Sequence, residues 1–247
     1  MFLDKYKKNI YSQNGEDGII TELLKRTGLN KNKNKWCCEF GAWDGKHGSN
    51  TYNLLEKNNF KAVYIEGDEL RFKKLKELTK NIKGLYSFNK YVSHKKKSKN
   101  KLDKILIKTK IKKNFEVLSI DIDSYDLAVW DSLKFYSPEI VVIEINSGLK
   151  PGIYQTHSKN RVGNSFSSTL IVAKQKGYIL VAHTGNCIFV KKKYLKKIKF
   201  PLELLHNPNN LFDWNWILKS ENYFKKYLKI ILPNTLIEKL RIIKNNF

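Results

Sequence analysis

The sequence predicts an α/β fold: a mostly parallel sheet covered by helices on both faces, closed by an antiparallel hairpin and followed by a basic helical extension. Three observations carry this. From residue 16 to 176, strand-like apolar runs alternate with helix-period segments, the mark of βαβ units. The run EIVVIEIN (139–146) is apolar through its middle, as a central parallel strand buried on both faces must be. Two β-rich runs, YILVAH and CIFVKK, meet across Thr184-Gly185-Asn186, a hairpin signal.

The elements follow in order. Residues 16–27 carry Ile19, Ile20, Leu23 and Leu24 at helical spacing, with acids in the first turn and Gly28 as a stop. The first strand is WCCEFGAW (36–43), then a short helix over 51–58 and the strand KAVYIEGD (61–68). A Leu/Phe-striped helix (69–82) leads to the strand LYSFNKYVS (85–93). The lysine run 94–101 reads as a solvated loop. A helix at 102–110, the strand FEVLSIDI (115–122), a helix at 124–133 and the strand 139–146 follow. The loop 147–164 has no pattern of its own, and loops of that length usually serve function. A helix over 166–176 ends at Gly177 before the hairpin. The expected domain spans 1–194, with 1–30 as a helical cover, and residues 195–247 form a basic aromatic extension. Its last stretch, 234–247, aligns Leu236, Ile237, Leu240 and Ile243 on one face, which suits packing on the domain or lying on an anionic membrane.

Composition narrows the function. Of 47 basic residues only Arg26, Arg71, Arg161 and Arg241 are arginines, leaving 43 lysines in a net charge of +24. Base readers rely on arginine for bidentate and stacking contacts, so nucleic acid is a disfavoured partner. Anionic glycans or a membrane surface suit a lysine-rich exterior better. Three cysteines, two of them adjacent, fit neither a disulfide framework nor zinc spacing. The apolar runs are too short to span a bilayer, and the first residues lack a leader's apolar stretch. A cytoplasmic protein is expected, with contact at the inner face of a membrane as its peripheral option.

The most informative segment is Glu39-Phe-Gly41-Ala42-Trp-Asp44-Gly45. An acid with glycines at +2 and +6, at a strand end before a helix, lets backbone approach a ligand closely. Its acids would repel a pyrophosphate and suit a cationic group instead. Glu66 ends the second strand, where a carboxylate can bind both ribose hydroxyls. Together they point to a nucleoside without phosphate, and the sulfonium and ammonium of S-adenosyl-L-methionine (SAM) fit the acidic rim.

Here the chain resembles the class I SAM-dependent methyltransferases, particularly their FkbM-like branch. The likeness runs from SQNGEDG (12–18) through EFGAWDGKHGSNT (39–51), YIEGD (64–68), LSIDIDSYD (118–126) and VVIEINSG (141–148) to GYILVAHTGNCIFV (177–190). It implies a Rossmann-like, seven-stranded sheet with one antiparallel strand. It also implies that Glu39, Gly41, Ala42, Asp44 and Gly45 line the methionine part of SAM and that Glu66 holds its ribose. Ser49, Asn50 and Thr51 would add polar contacts, with Gln13 and Asn14 covering the site.

Asp121 and Asp123 share one face at the end of the fourth strand, and Glu144 and Asn146 one face at the end of the fifth. These oxygens could converge on a hard divalent cation such as Mg²⁺. Some sugar and catechol O-methyltransferases have a similar set, although here Ile145 separates Glu144 from Asn146. Asp121, Glu144 and Asn146 are therefore the expected metal ligands. The competing reading has the same acids bind the methionine group and acceptor hydroxyls with no metal. Asp121, His183 and His157 are the candidate bases; His47 only shapes the glycine turn, and His94 and His206 receive no role. The expected activity is methyl transfer to a hydroxyl of a sugar in a surface glycan or glycolipid. Its rivals are a nucleic-acid methyltransferase and a non-catalytic binding or scaffold protein at an anionic membrane.

Overall fold

In the computed structural model, residues 2–220 are described. The tail helix expected over 234–247 lies outside them. Seven strands, β1 (Trp36–Phe40), β2 (Lys61–Glu66), β3 (Leu85–Asn89), β4 (Val117–Ile120), β5 (Ile140–Glu144), β6 (Tyr178–His183) and β7 (Asn186–Lys191), form one sheet. Its order is β3-β2-β1-β4-β5-β7-β6. Only β7 runs antiparallel to its neighbours β5 and β6, as the hairpin signal required. α1 (Glu16–Thr27) precedes the sheet; between the strands run α2 (Tyr52–Asn58), α3 (Glu69–Thr79), α4 (Leu102–Leu106), α5 (Asp126–Ser132) and α6 (Phe166–Gln175), with α7 (Leu202–His206) after it.

The strand order reverses between β1 and β4. From β1 the chain winds outward to β2 and β3, and from β4 the other way to β5. Adjacent crossover loops thus leave on opposite faces and open a crevice at the carboxyl ends of β1 and β4. The central strands are buried along their length: Cys37, Cys38, Val63, Leu118, Val142 and Ile143 expose nothing. The cysteines are free and buried, as expected of small hydrophobes.

Most strands end earlier than their apolar pattern suggests. β1 stops at Phe40 because Gly41 turns out of the ladder with φ 76°. A Cβ on Gly41 would lie under van der Waals distance from the Asp121 carbonyl, so only glycine permits the approach of the β1 and β4 loops. β4 likewise stops at Ile120, and Asp123 takes φ 54°. The polar residues past each strand end are spent on the crevice.

The segment before α1 is fixed by two acids. Asp17 Oδ2 accepts the amides of Ile10, Tyr11 and Ser12 at 2.9, 2.8 and 2.7 Å. Glu16 Oε2 accepts the Asn14 amide, while its Oε1 accepts from Thr184 Oγ1 (2.7 Å) and Asn186 Nδ2 (3.1 Å) of the hairpin. This bracing carries Gln13 and Asn14 to the crevice. At the other end, Phe212 stacks on His183 with ring centroids 4.6 Å apart, so the start of the extension packs against β6. No helix among the described residues is long and apolar enough to cross a membrane.

Candidate active site

Two clefts open along the carboxyl edge of the sheet. The first, about 710 Å³, lies over β1, β2 and β3 and is lined by Ala42, Trp43, Glu66, Arg71 and Tyr91, among others. The second, about 550 Å³, lies over β5 and the hairpin, against Asn14, Asn146, Val162, Gly185 and Trp216. Four residues line both: Gln13, Asp121, Asp123 and Glu144. The clefts therefore meet at three carboxylates.

Those carboxylates each offer an oxygen within 4.8 Å of the others. Burial raises the pKa of Asp121 most; a hydrogen bond with Glu144 works against that rise, and the charges of Asp126 and Asp123 add to it. Glu144 is raised as well, by burial and then by Asp121 and Asp123. The pair is short of positive charge, and a proton or a cation between them relieves it. This set differs from the expected ligands. Asn146 donates from Nδ2 to the Val162 carbonyl and accepts the Gly148 amide on Oδ1. Its amide thus shapes the loop after β5 while the residue lines the second cleft, and Asp123 joins Asp121 and Glu144 in the cluster.

The glycine turn is built differently from the expectation. Glu39 is buried and accepts from Ser49 Oγ (2.5 Å), the Asn50 amide (3.0 Å) and Thr51 Oγ1 (2.7 Å). Burial raises its pKa, and these bonds oppose the rise. Ser49 and Thr51 turn their hydroxyls inward to it, and Asn50 Nδ2 reaches Ser119 Oγ at 3.1 Å. Asn50 and Thr51 do not line either cleft; they brace the start of α2. Asp44 is a turn-former too: its Oδ1 accepts the amides of Lys46 and His47, and its Oδ2 meets His47 Nδ1 at 2.6 Å. Burial opposes its charge, yet these contacts hold it below the usual carboxylate range. Gly45 faces Thr79, Leu75 and Tyr64, away from the crevice. Of the turn, Glu39, Gly41, Ala42 and Ser49 reach the first cleft.

Glu66 sits where the sequence places it. One oxygen accepts the Trp43 amide and the other the Asp68 amide, each at 2.8 Å. A carboxylate oxygen has a second lone pair, so both can still accept from a diol.

Neither candidate histidine lines a cleft. His183 is buried, with Nδ1 accepting the Asp213 amide at 2.9 Å and Nε2 against Ser147 Oγ at 2.9 Å. The Nδ1 contact fixes the proton on Nε2, so Ser147 accepts there and donates to the Gly185 carbonyl at 2.8 Å. Burial pushes its pKa down to about 4. The ring is a neutral brace behind the hairpin, because the residue turns inward where β6 meets Phe212. His157 Nδ1 accepts the Gly163 amide, and its ring packs on Tyr125 with centroids 4.6 Å apart. His94, given no role, packs on Tyr125 at 4.6 Å too. The three rings tie the lysine loop to the 147–164 loop.

Sequence reasoning missed Trp43, Arg71 and Tyr91 in the first cleft and Trp216 in the second. Trp43 and Tyr91 were read as strand residues; their position just past Phe40 and Asn89 was the available signal. The tail's aromatic composition was noted, but nothing in the sequence placed Trp216 at the cleft.

No protein-family model matches the chain, and no curated protein sequence matches it. Solved structures similar to it include TrmK of M. capricolum in complex with S-adenosylhomocysteine, 14% identical over 90% of this chain and 93% of that one, TM-score 0.45. CalS10, a SAM-bound amino pentose methyltransferase from Micromonospora echinaspora, is 10% identical over 74% and 98%, TM-score 0.44. The CurJ carbon methyltransferase is 11% identical over 73% and 56%, so the chain spans little more than half of it, TM-score 0.48. The strand order, with one antiparallel strand next to the edge, is that of the Rossmann-like, seven-stranded sheet expected from the sequence.

Proposed function

We propose that the chain is a SAM-dependent methyltransferase, akin to the FkbM-like branch, that methylates a hydroxyl of a sugar in a surface glycan or glycolipid. The observation that carries it is the meeting of two clefts at Asp121, Asp123 and Glu144. A group-transfer enzyme needs one compartment for the donor, one for the acceptor, and a shared wall where the transferred group passes.

The first cleft takes SAM in this reading. Glu66 holds the ribose hydroxyls, the Gly41 turn lies against the methionine part, and Trp43 and Tyr91 offer flat surfaces toward the adenine side. The carboxylates at the junction attract the ammonium and sulfonium and repel phosphate. The acceptor oxygen approaches from the second cleft and attacks the methyl carbon in line with sulfur. The C–O bond forms as the C–S bond breaks, the electron pair stays on sulfur, and S-adenosylhomocysteine leaves. The hydroxyl proton passes to the Asp121 carboxylate. Alignment supplies most of the rate, since the sulfonium is already a good leaving group.

The three carboxylates are hard oxygen donors and fit a divalent cation; Asp121, Asp123 and Glu144 would hold it, and bound there it would polarise the acceptor hydroxyl. The test of the whole reading is release of S-adenosylhomocysteine from SAM in the presence of glycan acceptors, with EDTA and with added Mg²⁺. Acceptor-dependent release supports it, and a Mg²⁺ requirement assigns the cation. Absence of release from every hydroxyl-bearing acceptor, alongside methylation of RNA, would replace the acceptor class.

A further inference from the structure

The second cleft has a wall that comes from the extension. Residues 215–220 are helical and close over the β6–β7 turn. Gly185, at φ 106°, carries no Cβ there; one would stand 2.5 Å from Cζ2 of Trp216 and 3.0 Å from its Cη2. The six-membered ring of the indole thus rests directly on the turn, and any other residue at 185 would push it off. Lys219 places its ammonium 4.7 Å from the Trp216 ring centroid, and both side chains line the cleft. Against Lys219, the charged groups of this cleft are Asp121, Asp123, Asp126 and Glu144. Asp126 spends its oxygens on the amides of Ile122 and Ser124. The other three lie where the clefts join.

We propose that Trp216 and Lys219 select the acceptor: a pyranose ring takes the place of the Lys219 ammonium over the indole, and the displaced ammonium pairs with one anionic substituent of that sugar, as in a hexuronate. The inference rests on the methyl-transfer reading for the direction in which the acceptor hydroxyl points. An aromatic plane matches the apolar C–H face of a sugar, while its hydroxyls need polar walls, which Asn14 and Ser220 supply. One lysine suits one negative charge. A nucleic-acid strand would bring successive phosphates toward three carboxylates with a single cation to offset them, among the described residues of the cleft.

The test is calorimetric titration of protein saturated with S-adenosylhomocysteine, using methyl β-D-glucuronide, methyl β-D-glucoside and uridine 5′-monophosphate. The expected order is glucuronide first, glucoside about tenfold weaker, and the nucleotide weakest. Trp216→Ala should weaken the glucuronide at least about tenfold with S-adenosylhomocysteine affinity unchanged, and Trp216→Phe should restore most of the loss. Lys219→Gln should erase the preference for glucuronide over glucoside. Equal glycoside binding by wild type and Trp216→Ala, or no glycoside binding to the loaded protein, would overturn the inference while leaving the cofactor reading intact. Nucleotide binding tighter than either sugar would overturn it in favour of a nucleic-acid acceptor. Failure of S-adenosylhomocysteine itself to bind would remove both readings together.

Discussion

The two sides of the crevice use the same residue types for opposite ends. On the β1 side, the carboxylates of Glu39 and Asp44 accept bonds from Ser49, Thr51 and local amides, and they build the turn. On the β4 and β5 side, Asp121, Asp123 and Glu144 face one another across the junction of the clefts. The first group is acid used as scaffold: buried, but internally satisfied. The second is acid crowded with acid, whose relief comes from a proton, a cation or a ligand. Which partners a carboxylate has, rather than its place in a motif, separates the two.

The sharpest way to break this comparison is to remove one acid from each side. Asp121→Ala should cut methyl transfer by about 10³-fold, roughly 4 kcal/mol of barrier, while S-adenosylhomocysteine binding weakens by no more than about tenfold and the melting temperature holds. Turnover near wild type would return Asp121 to the scaffold group. Glu39→Ala should instead lower stability by about 3 kcal/mol, because the donors of Ser49, Asn50 and Thr51 lose their buried partner. Denaturant unfolding reads this directly, and an unchanged midpoint would show that Glu39 is not the anchor of α2.

His183 provides the next test, in pH. Its folded pKa is near 4 against an ordinary 6.5, because burial disfavours the charged ring. The neutral ring's contribution is therefore whole above pH 6.5 and is lost as pH falls through 4. Between those values the wild type should lose up to about 3 kcal/mol relative to His183→Gln. Parallel stability curves for the two proteins would mean the ring titrates normally. A smaller effect is expected at Glu66, where Gln should weaken SAM binding about tenfold, near 1.4 kcal/mol, by losing one acceptor for the ribose diol. His157→Ala should change turnover by less than about twofold, since its ring packs on Tyr125 outside both clefts. A thousandfold loss there would restore it as the base.

The alternation of strands and helices and the hairpin were both legible, because buried parallel strands and φ-positive glycine turns leave strong marks. The ends of strands were not. Side-chain alternation was extended past Glu144 to Asn146, but the chain leaves the ladder at Glu144, and Asn146 is tied down by Val162 and Gly148. Asp123 joins the cluster the sequence placed it near, but through a turn with φ 54° past the end of β4 and not by the strand alternation used to place it. His183 failed for another reason. It was placed at the right end of β6, but its two partners, Ser147 and Asp213, are 36 and 30 residues away in sequence. The position of Glu66 at the first cleft was legible because it depends only on ending β2 beside β1, a relation the sequence pattern already contained.

The measurement that tests the account most directly is calorimetric titration of the intact protein with SAM and with S-adenosylhomocysteine, each with and without Mg²⁺. The account predicts micromolar binding of both to the first cleft, weakened about tenfold by Glu66→Gln and unaffected by Trp216→Ala. No binding of either ligand to correctly folded protein would contradict it, whatever the sheet resembles.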